Sequence, residues 1–340
     1  MDMHSFLRKI PKIELHTHLE GSVQAATFVE LAAKHGVELP PHKKPGDLYQ
    51  YDNILDFLKI YNLVGQCVSD HDDFRRITYE TLQEAHEHGV RHREMFWSPM
   101  DHLEFGVPYE TAVDGIIEGI HDAEKDLGIT CRLIADINRM KPPEAGYEMV
   151  ETVLAHPREE LVGIGLDYAE ANDPPEKFWK AFCLAAKGGL HRTAHACEDA
   201  PARNVETCLD LLGCERIDHG YHVLEDERIA RRCRDEGVVF TTCVVSSAFV
   251  YFGKDYSQHP VRKMKEAGLK IMLNSDDPPM FQTNPSYDYV VCADHMGFAP
   301  EDFKETVMNG IDGSWLPDTK KRQLRREWGK EIDQMIAELH

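Results

Sequence analysis

The chain has 340 residues, of which 42% are hydrophobic and 29% charged, a composition that predicts a large globular core rather than a disordered chain. Its 59 acidic and 38 basic side chains give a formal net charge of -21, which repels nucleic-acid phosphates and anionic lipid surfaces. No apolar run reaches the roughly 18 residues of a membrane span, and the amino terminus lacks an apolar signal segment. We therefore expect a cytoplasmic protein without nucleic-acid or membrane partners. The nine cysteines contain no C-x-x-C pair and are odd in number, which favours reduced thiols.

Short β-branched runs alternate with longer helical stretches along most of the chain. The runs that predict strands lie at residues 13–18, 90–97, 130–137, 161–167, 191–195, 216–219, 238–243 and 270–276. Between them lie helical stretches such as those at 109–127, 175–187 and 202–212. Eight strand-helix units predict an α/β fold, a (β/α)8 TIM barrel that spans residues 1–340 as a single domain.

One segment, residues 21–89, interrupts this alternation. It has no clear strand but carries helical stretches at 25–35, 54–64 and 72–88. We expect a helical insertion after the first strand, and a long connection on the catalytic face usually forms a lid or a pocket wall. The last segment, 301–340, is helical and charged and predicts a closing helix pair on the outside of the barrel.

Four potential metal ligands occur at the ends of predicted strands. His16 and His18 are separated by one residue, so on a strand their side chains face the same way. His195 ends the fifth predicted strand and Asp276 the eighth, and the C-terminal ends of barrel strands meet at one face. Three imidazoles and a carboxylate suit zinc or a similar divalent ion, which makes its bound water acidic. Each histidine has an ordinary structural role as its alternative, and Asp276 could cap a helix. One ion per chain accounts for all four positions together.

Three further polar residues lie next to these candidate ligands in the sequence. Glu198 follows His195 by three residues, where a turn brings its carboxylate beside the metal-bound water as a proton shuttle, or where it stabilises a helix N-terminus. His219 ends the sixth predicted strand, and the glycine after it permits a tight turn, so we expect it to orient the water. Asp277 is adjacent to Asp276 and points away from it. We expect it to hydrogen-bond a substrate N–H or ring nitrogen.

Taken in order, the motifs of this chain resemble those of the adenosine and adenine deaminase family. The motifs are Pro-Lys-Ile-Glu-Leu-His-Thr-His-Leu-Glu-Gly at 11–21, Gly-Leu-Asp at 165–167, His-Ala-Cys-Glu at 195–198, His-Gly-Tyr-His at 219–222 and Leu-Asn-Ser-Asp-Asp-Pro at 273–278. The resemblance spans nearly the whole chain and implies a (β/α)8 barrel with one zinc ion. The positions that match the family's zinc ligands are His16, His18, His195 and Asp276.

The resemblance also implies a reaction and a role for each remaining residue. The position matching Glu198 protonates the purine N1, that matching His219 assists the metal-bound hydroxide, and that matching Asp277 contacts N7. The implied reaction is attack of the hydroxide on C6 of a 6-aminopurine, followed by release of ammonia. A small-molecule aminopurine is therefore the expected partner.

Departures from the family pattern bear on the choice of substrate. Glu20 stands where adenosine deaminases have an aspartate tied to the ribose, and Gly165, Asp167 and Glu170 form a Gly-Leu-Asp-x-x-Glu pattern similar to the adenine deaminase branch. We expect these four residues to contact the substrate. The His-Gly-Tyr-His run, however, is similar to adenosine deaminases. Because segment 21–89 offers enough chain to wall a large pocket, the predicted reaction is adenosine to inosine and ammonia, with adenine or a substituted aminopurine as the alternative.

Two other departures concern the pocket wall. Cys197 replaces a glycine that the family usually has, and Val245-Ser246-Ser247 stands where a Pro-x-Ser-Asn pattern is common. Cys197 is interpreted either as a packed apolar thiol or as a changed pocket wall.

Three different classes of function compete with this interpretation. A binuclear amidohydrolase of the lactonase or dihydroorotase type also begins with H-x-H, but it needs a bridging lysine or equivalent after the fourth strand, where this chain has Asp167 and Tyr168. A barrel kept only as a binding module would lack metal ligands, and all of them are present. The base-flipping cytidine deaminases carry a P-C-x-x-C segment, which this sequence does not contain. The oligomeric state is not encoded in any motif.

Overall fold

The computed structural model describes residues 1–253 and 255–340, and within these ranges all strand pairs are parallel. The strands are β1 (Lys12–Glu14), β2 (Val90–Trp97), β3 (Thr130–Asn138), β4 (Leu161–Asp167), β5 (His191–Arg192), β6 (His195–Ala196), β7 (Ile217–His219), β8 (Val239–Thr242) and β9 (Lys270–Leu273). The α-helices are α1 (Met3–Lys9), α2 (Ala25–His35), α3 (Ile54–Cys67), α4 (His71–Glu87), α5 (Pro99–Glu104), α6 (Tyr109–Leu127), α7 (Pro143–Ala155), α8 (Trp179–Lys187), α9 (Arg203–Thr207), α10 (Glu227–Glu236), α11 (Val244–Ser247), α12 (Pro260–Glu266), α13 (Tyr287–Met296), α14 (Pro300–Gly313) and α15 (Asp318–Ala337). None of these helices combines the length and the hydrophobicity needed to cross a bilayer.

The strands run in the order β1-β2-β3-β4-β5 and then β6-β7-β8-β9. The fifth predicted strand, 191–195, is divided into β5 and β6, and between them the Thr193 amide still donates to the Ile164 carbonyl at 3.1 Å. At the other junction, the Asp276 amide donates to the His16 carbonyl at 3.2 Å and the His18 amide to the Asp276 carbonyl at 3.0 Å. These bonds join the last strand to the first, and the predicted (β/α)8 TIM barrel is confirmed.

The first strand is shorter than its sequence suggests. Regular pairing ends at Glu14, because the amide of Leu15 donates to the side-chain oxygen of Asn274 at 2.9 Å instead of to a neighbouring strand. Pairing resumes at isolated bridges from Thr17 to Asp276 and from His18 to Phe96. The H-x-H segment is therefore extended and held between β2 and the end of β9.

The segment between β1 and β2 is helical, with α2, α3 and α4 at the positions that the sequence indicates. Helix α4 lies directly on α6, since a Cβ atom at Gly115 would be only 2.4 Å from the carbonyl oxygen of His71. Helix α3 buries Phe57, Leu58 and Tyr61 and contributes them to the cavity described below. That residues 1–340 form a single domain, with 21–89 as an insertion into it, stays a prediction.

The C-terminal helices cover the barrel from outside. Helix α14 packs against β1, β8 and β9, and glycine at Gly310 permits this approach, since a Cβ there would lie 2.4 Å from Ile13 Cγ2. Helix α15 packs on α14. The polar residues considered next lie at the C-terminal ends of the strands.

Candidate metal and active site

The four predicted metal ligands lie together at the C-terminal ends of the strands. Nε2 of His16 is 3.3 Å and Nε2 of His18 is 3.5 Å from the same atom, Oδ1 of Asp276. Nε2 of His18 is also 3.2 Å from Nε2 of His195. All four side chains are buried. Three imidazole nitrogens and one carboxylate oxygen thus gather at three strand ends, at the place called the metal point below.

Two of these histidines are supported from behind by one buried carboxylate, that of Asp218. Nδ1 of His16 lies 3.0 Å from the hydroxyl oxygen of Thr241, and this hydroxyl donates to Asp218 Oδ1 at 2.7 Å. Nδ1 of His195 lies 3.8 Å from Asp218 Oδ2. Such partners fix which ring nitrogen of a ligand histidine faces the metal. The sequence analysis missed Asp218 and Thr241, although Asp218 is a charged residue inside a buried strand, directly before His219.

The other two candidate ligands have supporting groups of their own. Nδ1 of His18 is 3.5 Å from Oδ2 of Asp136, which lies in β3. The hydroxyl of Ser246 donates to Oδ2 of Asp276 at 2.6 Å and leaves Oδ1 facing the histidines. Ser246 lies in the Val-Ser-Ser segment that differs from the family's usual Pro-x-Ser-Asn pattern. This segment therefore places a hydroxyl behind a candidate ligand carboxylate. The sequence analysis assigned no role to Asp136 or Ser246.

The cluster fits a divalent metal ion. Nε2 of His16 is buried without a hydrogen-bond partner among the described residues. Burial lowers the pKa of His18 to about 4 and also lowers the pKa of His195 well below its usual value, so both rings are neutral, as ligands must be. Against the effect of burial, the Asp276 carboxylate raises the pKa of His16, which shows that a positive charge is favoured at this point.

Two acid-base groups adjoin the cluster. Nε2 of His219 is 3.5 Å from Oε1 of Glu198. Burial, together with the charge of Asp276, raises the pKa of Glu198 well above its usual value, which favours a protonated carboxyl. A ring nitrogen of His219 also lies within 4.8 Å of donor atoms of His16, His195 and Asp276, so the geometry brings His219 close enough to the metal point to contact a bound water.

Two more carboxyl groups line the cavity, and one oxygen of each has no partner among the described residues. Oδ1 of Asp277 and Oδ1 of Asp167 are buried and accept no hydrogen bond from the described residues. Burial raises the pKa of both groups, and the neighbouring Asp276 raises that of Asp277 further. Position 21 must be a glycine for this arrangement, because a Cβ on Gly21 would lie 1.6 Å from Asp277 Oδ1. Both residues thus lie at the cavity, each with one oxygen that no protein donor occupies.

The structure places Glu20 differently from the sequence expectation. Its carboxylate accepts from the Ser98 amide and from His102 Nε2, both at 2.9 Å, and from the Tyr61 hydroxyl at 3.1 Å. Three protein donors thus occupy the group that we expected to face the substrate. The reason is tertiary: helices α3 and α5 bring these donors to the end of β1, and no motif near Glu20 encodes them.

Gly165 and Glu170 also have structural surroundings rather than an open face. A Cβ on Gly165 would lie 1.9 Å from Asp136 Oδ1, so this glycine makes room for Asp136 instead of for a substrate. Glu170 accepts hydrogen bonds from the Cys197 and Glu198 amides at 2.9 and 3.0 Å. That both contact the substrate stays a prediction.

A cavity lies above the cluster and is lined by the four strand-end groups His18, His195, His219 and Asp276 together with other side chains. One side carries the polar groups described above. The other side is apolar and aromatic, formed by Ile54, Phe57, Leu58, Tyr168, Val250, Tyr251 and Phe281. Of the described residues that line the cavity, none is a lysine or an arginine.

A parallel (β/α)8 barrel with three histidines and an aspartate gathered at its strand ends defines a metal-dependent hydrolase of the amidohydrolase type. The model of the adenosine deaminase family matches residues 11–331, and the chain belongs to this family. It is an enzyme of the deaminase class.

Relatives and solved structures agree with this assignment. An adenine deaminase from Vibrio parahaemolyticus is 30% identical over 339 residues, which are 99% of this chain and 99% of the relative. An amidohydrolase from Burkholderia ambifaria with bound zinc is 37% identical with a TM-score of 0.93, covering 98% of this chain and 93% of that one. An adenine deaminase from Arthrobacter aurescens is 32% identical with a TM-score of 0.91, covering 95% and 99%.

Proposed function

We propose that the protein is a zinc-dependent adenine deaminase, which converts adenine and water to hypoxanthine and ammonia. The observation that carries this proposal is the position of Glu198, whose Oε1 lies 3.5 Å from His219 Nε2, beside a buried cluster of three histidines and Asp276. The relatives named adenine deaminase, and the zinc in the Burkholderia structure, support it. The cytoplasmic location stays a prediction.

The roles of the side chains follow from their free atoms. Zinc at this point supplies a water whose pKa is near neutrality. His219 would orient such a water and accept its proton, and Glu198, 3.5 Å from His219 Nε2, would donate a proton to N1 of the purine. Asp277, with its raised pKa, presents a carboxyl that donates to N7. In the overall reaction a C6–O bond forms, the C6–N bond breaks, and the amino group leaves as ammonia.

The cavity wall favours a free base over its nucleoside. When C6 lies above the cluster, with N1 at Glu198 and N7 at Asp277, the N3 and N9 edge of the purine points away from the metal. On the apolar side of the cavity, which includes Phe57 and Phe281, only tyrosine hydroxyls could pair with a ribose, and an unpaired buried hydroxyl costs about 1–3 kcal/mol. Glu20, which was expected to read a sugar, is occupied by Ser98 and other protein donors. Adenine therefore replaces adenosine as the proposed substrate.

A panel of aminopurines tests this proposal directly. Ammonia release from the purified protein is measured with adenine, adenosine and adenosine monophosphate at equal concentrations. We expect kcat/KM for adenine to exceed that for adenosine by about 10²-fold, and the phosphate of the nucleotide to find no cationic partner. A higher kcat/KM for adenosine would overturn the assignment.

The variant Glu20→Gln separates the two substrates further. Because the Glu20 carboxylate bonds only protein groups in this account, the change should lower activity on adenine and on adenosine by the same factor. A loss confined to adenosine would show that Glu20 reads the sugar after all.

A further inference from the structure

The carboxylate of Glu170 binds the turn that carries Glu198. Its Oε1 accepts from the Cys197 amide at 2.9 Å and from Nδ2 of Asn204 at 2.7 Å, and its Oε2 accepts from the Glu198 amide at 3.0 Å. The side chain is 2% exposed. One buried anion from the segment after β4 thus binds two successive amides after β6.

The turn needs such a partner because its backbone is strained. Cys197 has φ of +60°, in the left-handed region that costs a residue with a Cβ about 1–2 kcal/mol. Two successive amides that point the same way form a small concavity that favours an anion. Glu170 fills this concavity, and the turn at Cys197 is what brings the next side chain, Glu198, into the cavity.

A buried arginine completes the arrangement. Nη1 of Arg139 is 3.8 Å from Glu170 Oε1, and Nη2 of the same side chain donates to the carbonyl of His195. Arg139 is fully buried at the end of β3. It balances the charge of Glu170 and holds the strand end from which the turn departs, so the turn is fixed at both of its ends.

We propose that Glu170 is a positioning residue for the reaction. It contacts neither the cavity nor the metal point, and it acts by holding the Cys197–Glu198 turn so that the Glu198 carboxyl faces the substrate. This inference rests on the proposed function only in taking Glu198 as the proton donor. The hydrogen bonds from the amides of residues 197–198 to Glu170, called the clamp below, do not depend on the substrate.

Hydrogen exchange tests the clamp without any assay of activity. In Glu170→Gln an NH2 group replaces one of the two acceptor oxygens. Because it faces a backbone N–H and cannot accept from it, one of the two backbone hydrogen bonds is lost. We expect the peptide amides of residues 197–198 to exchange at least about tenfold faster, with zinc content unchanged. The control is Asp173→Asn, in the same connection but paired only with Lys177 at 2.7 Å, which should leave this exchange as it is. Unchanged exchange in Glu170→Gln would overturn the proposal.

A double-mutant cycle tests the consequence for catalysis. Glu170→Gln should lower kcat on adenine about 10- to 100-fold, the range expected for a misplaced catalytic group, with a smaller change in KM. In the Glu198→Gln background the same change should lower kcat less than about twofold, because both variants remove one function. Equal losses in both backgrounds, or an effect on KM alone, would contradict the positioning role.

The two proposals fail in different ways. If the wild-type protein releases no ammonia from adenine, the proposed function fails, and hydrogen exchange still decides on the clamp. If Glu170→Gln does not fold, Asn204→Ala replaces it, since this variant removes one donor and keeps the carboxylate. It should speed exchange at residues 197–198 and lower kcat by a smaller factor, and an unchanged exchange and kcat would overturn the proposal.

Discussion

The metal cluster and the wall around the substrate cavity are built from the same residue types but differ in which atoms are free. In the cluster, His16 bonds Thr241 through Nδ1 while its Nε2 has no partner among the described residues. Behind the wall, Glu20 has both carboxylate oxygens occupied by protein donors, one of which, Tyr61, lines the cavity. At the strand ends the unpartnered nitrogen faces other candidate ligands, whereas both oxygens of Glu20 bond protein groups. The free atom, rather than the residue type, distinguishes the two.

The same distinction separates two acidic residues that the family motifs place near the metal. Asp277 lines the cavity, and its Oδ1, for which Gly21 leaves room, has no partner among the described residues. Both carboxylate oxygens of Glu170 accept hydrogen bonds, from two backbone amides and from Asn204. We therefore assign Asp277 to the substrate and Glu170 to the turn that carries the proton donor.

The largest effect is expected from removal of two ligands at once. The double variant His16→Ala, His18→Ala leaves His195 and Asp276 alone, which is too few donors for a structural or catalytic zinc site. We expect near-complete loss of bound metal and activity at background, measured by elemental analysis and ammonia release. The control His35→Ala removes a half-buried histidine that bonds Asp73 at 2.6 Å, and it should keep its metal. Full metal occupancy in the double variant would contradict the ligand assignment.

The proton donor comes next in size. Glu198→Gln keeps the shape of the side chain but cannot transfer a proton, a function that contributes about 10²- to 10⁴-fold. We expect kcat to fall by that factor while the metal-to-protein ratio stays at the wild-type value. An active variant would mean that another group protonates N1.

A smaller effect is expected behind the metal ligands. Asp218 accepts from the hydroxyls of Thr193 at 2.8 Å and Thr241 at 2.7 Å and lies near two candidate ligand histidines. Because supporting groups of this kind contribute about 10- to 100-fold to metal affinity, Asp218→Asn should weaken zinc binding by that factor in a competition with a chelator. Asp226→Asn, at an exposed helix N-cap, serves as the control. Equal affinity in Asp218→Asn would show that the ring orientation is fixed without this carboxylate.

The smallest effect concerns the backbone at Cys197. Alanine and glycine both remove the sulfur, but only glycine removes the Cβ that is unfavourable at φ of +60°. The glycine variant should therefore have the larger free energy of unfolding, by about 1 kcal/mol. At Cys233, in the middle of helix α10, the order should reverse by about 1 kcal/mol because glycine is a poor helix former. Denaturant midpoints of the four variants check this. A higher midpoint for alanine than for glycine at both positions would refute the strain at Cys197.

The sequence predicts the barrel and the metal cluster because both depend on local patterns. Short β-branched runs identify the strands, and the one-residue spacing of His16 and His18 puts them on one face. The division of the fifth strand and the early end of β1 depend on distant partners, such as the side chain of Asn274 beside the Leu15 amide. No local pattern contains that information.

The same limit explains what was missed in the site. Asp218 and Thr241 support His16 from two other strands, and Ser98 reaches Glu20 from a different connection. Their roles follow from the closure of the barrel and not from their spacing in the chain. A charged residue inside a buried strand, such as Asp218, is the one signal that could have been read beforehand.

The central claim is that one metal ion, held by this cluster, supports deamination of adenine. Metal-free protein titrated with zinc, with ammonia release from adenine followed at each addition, tests it most directly. We predict that activity rises in proportion to added zinc and saturates at one ion per chain. Activity without metal, or saturation at two ions per chain as in a binuclear hydrolase, would contradict the claim.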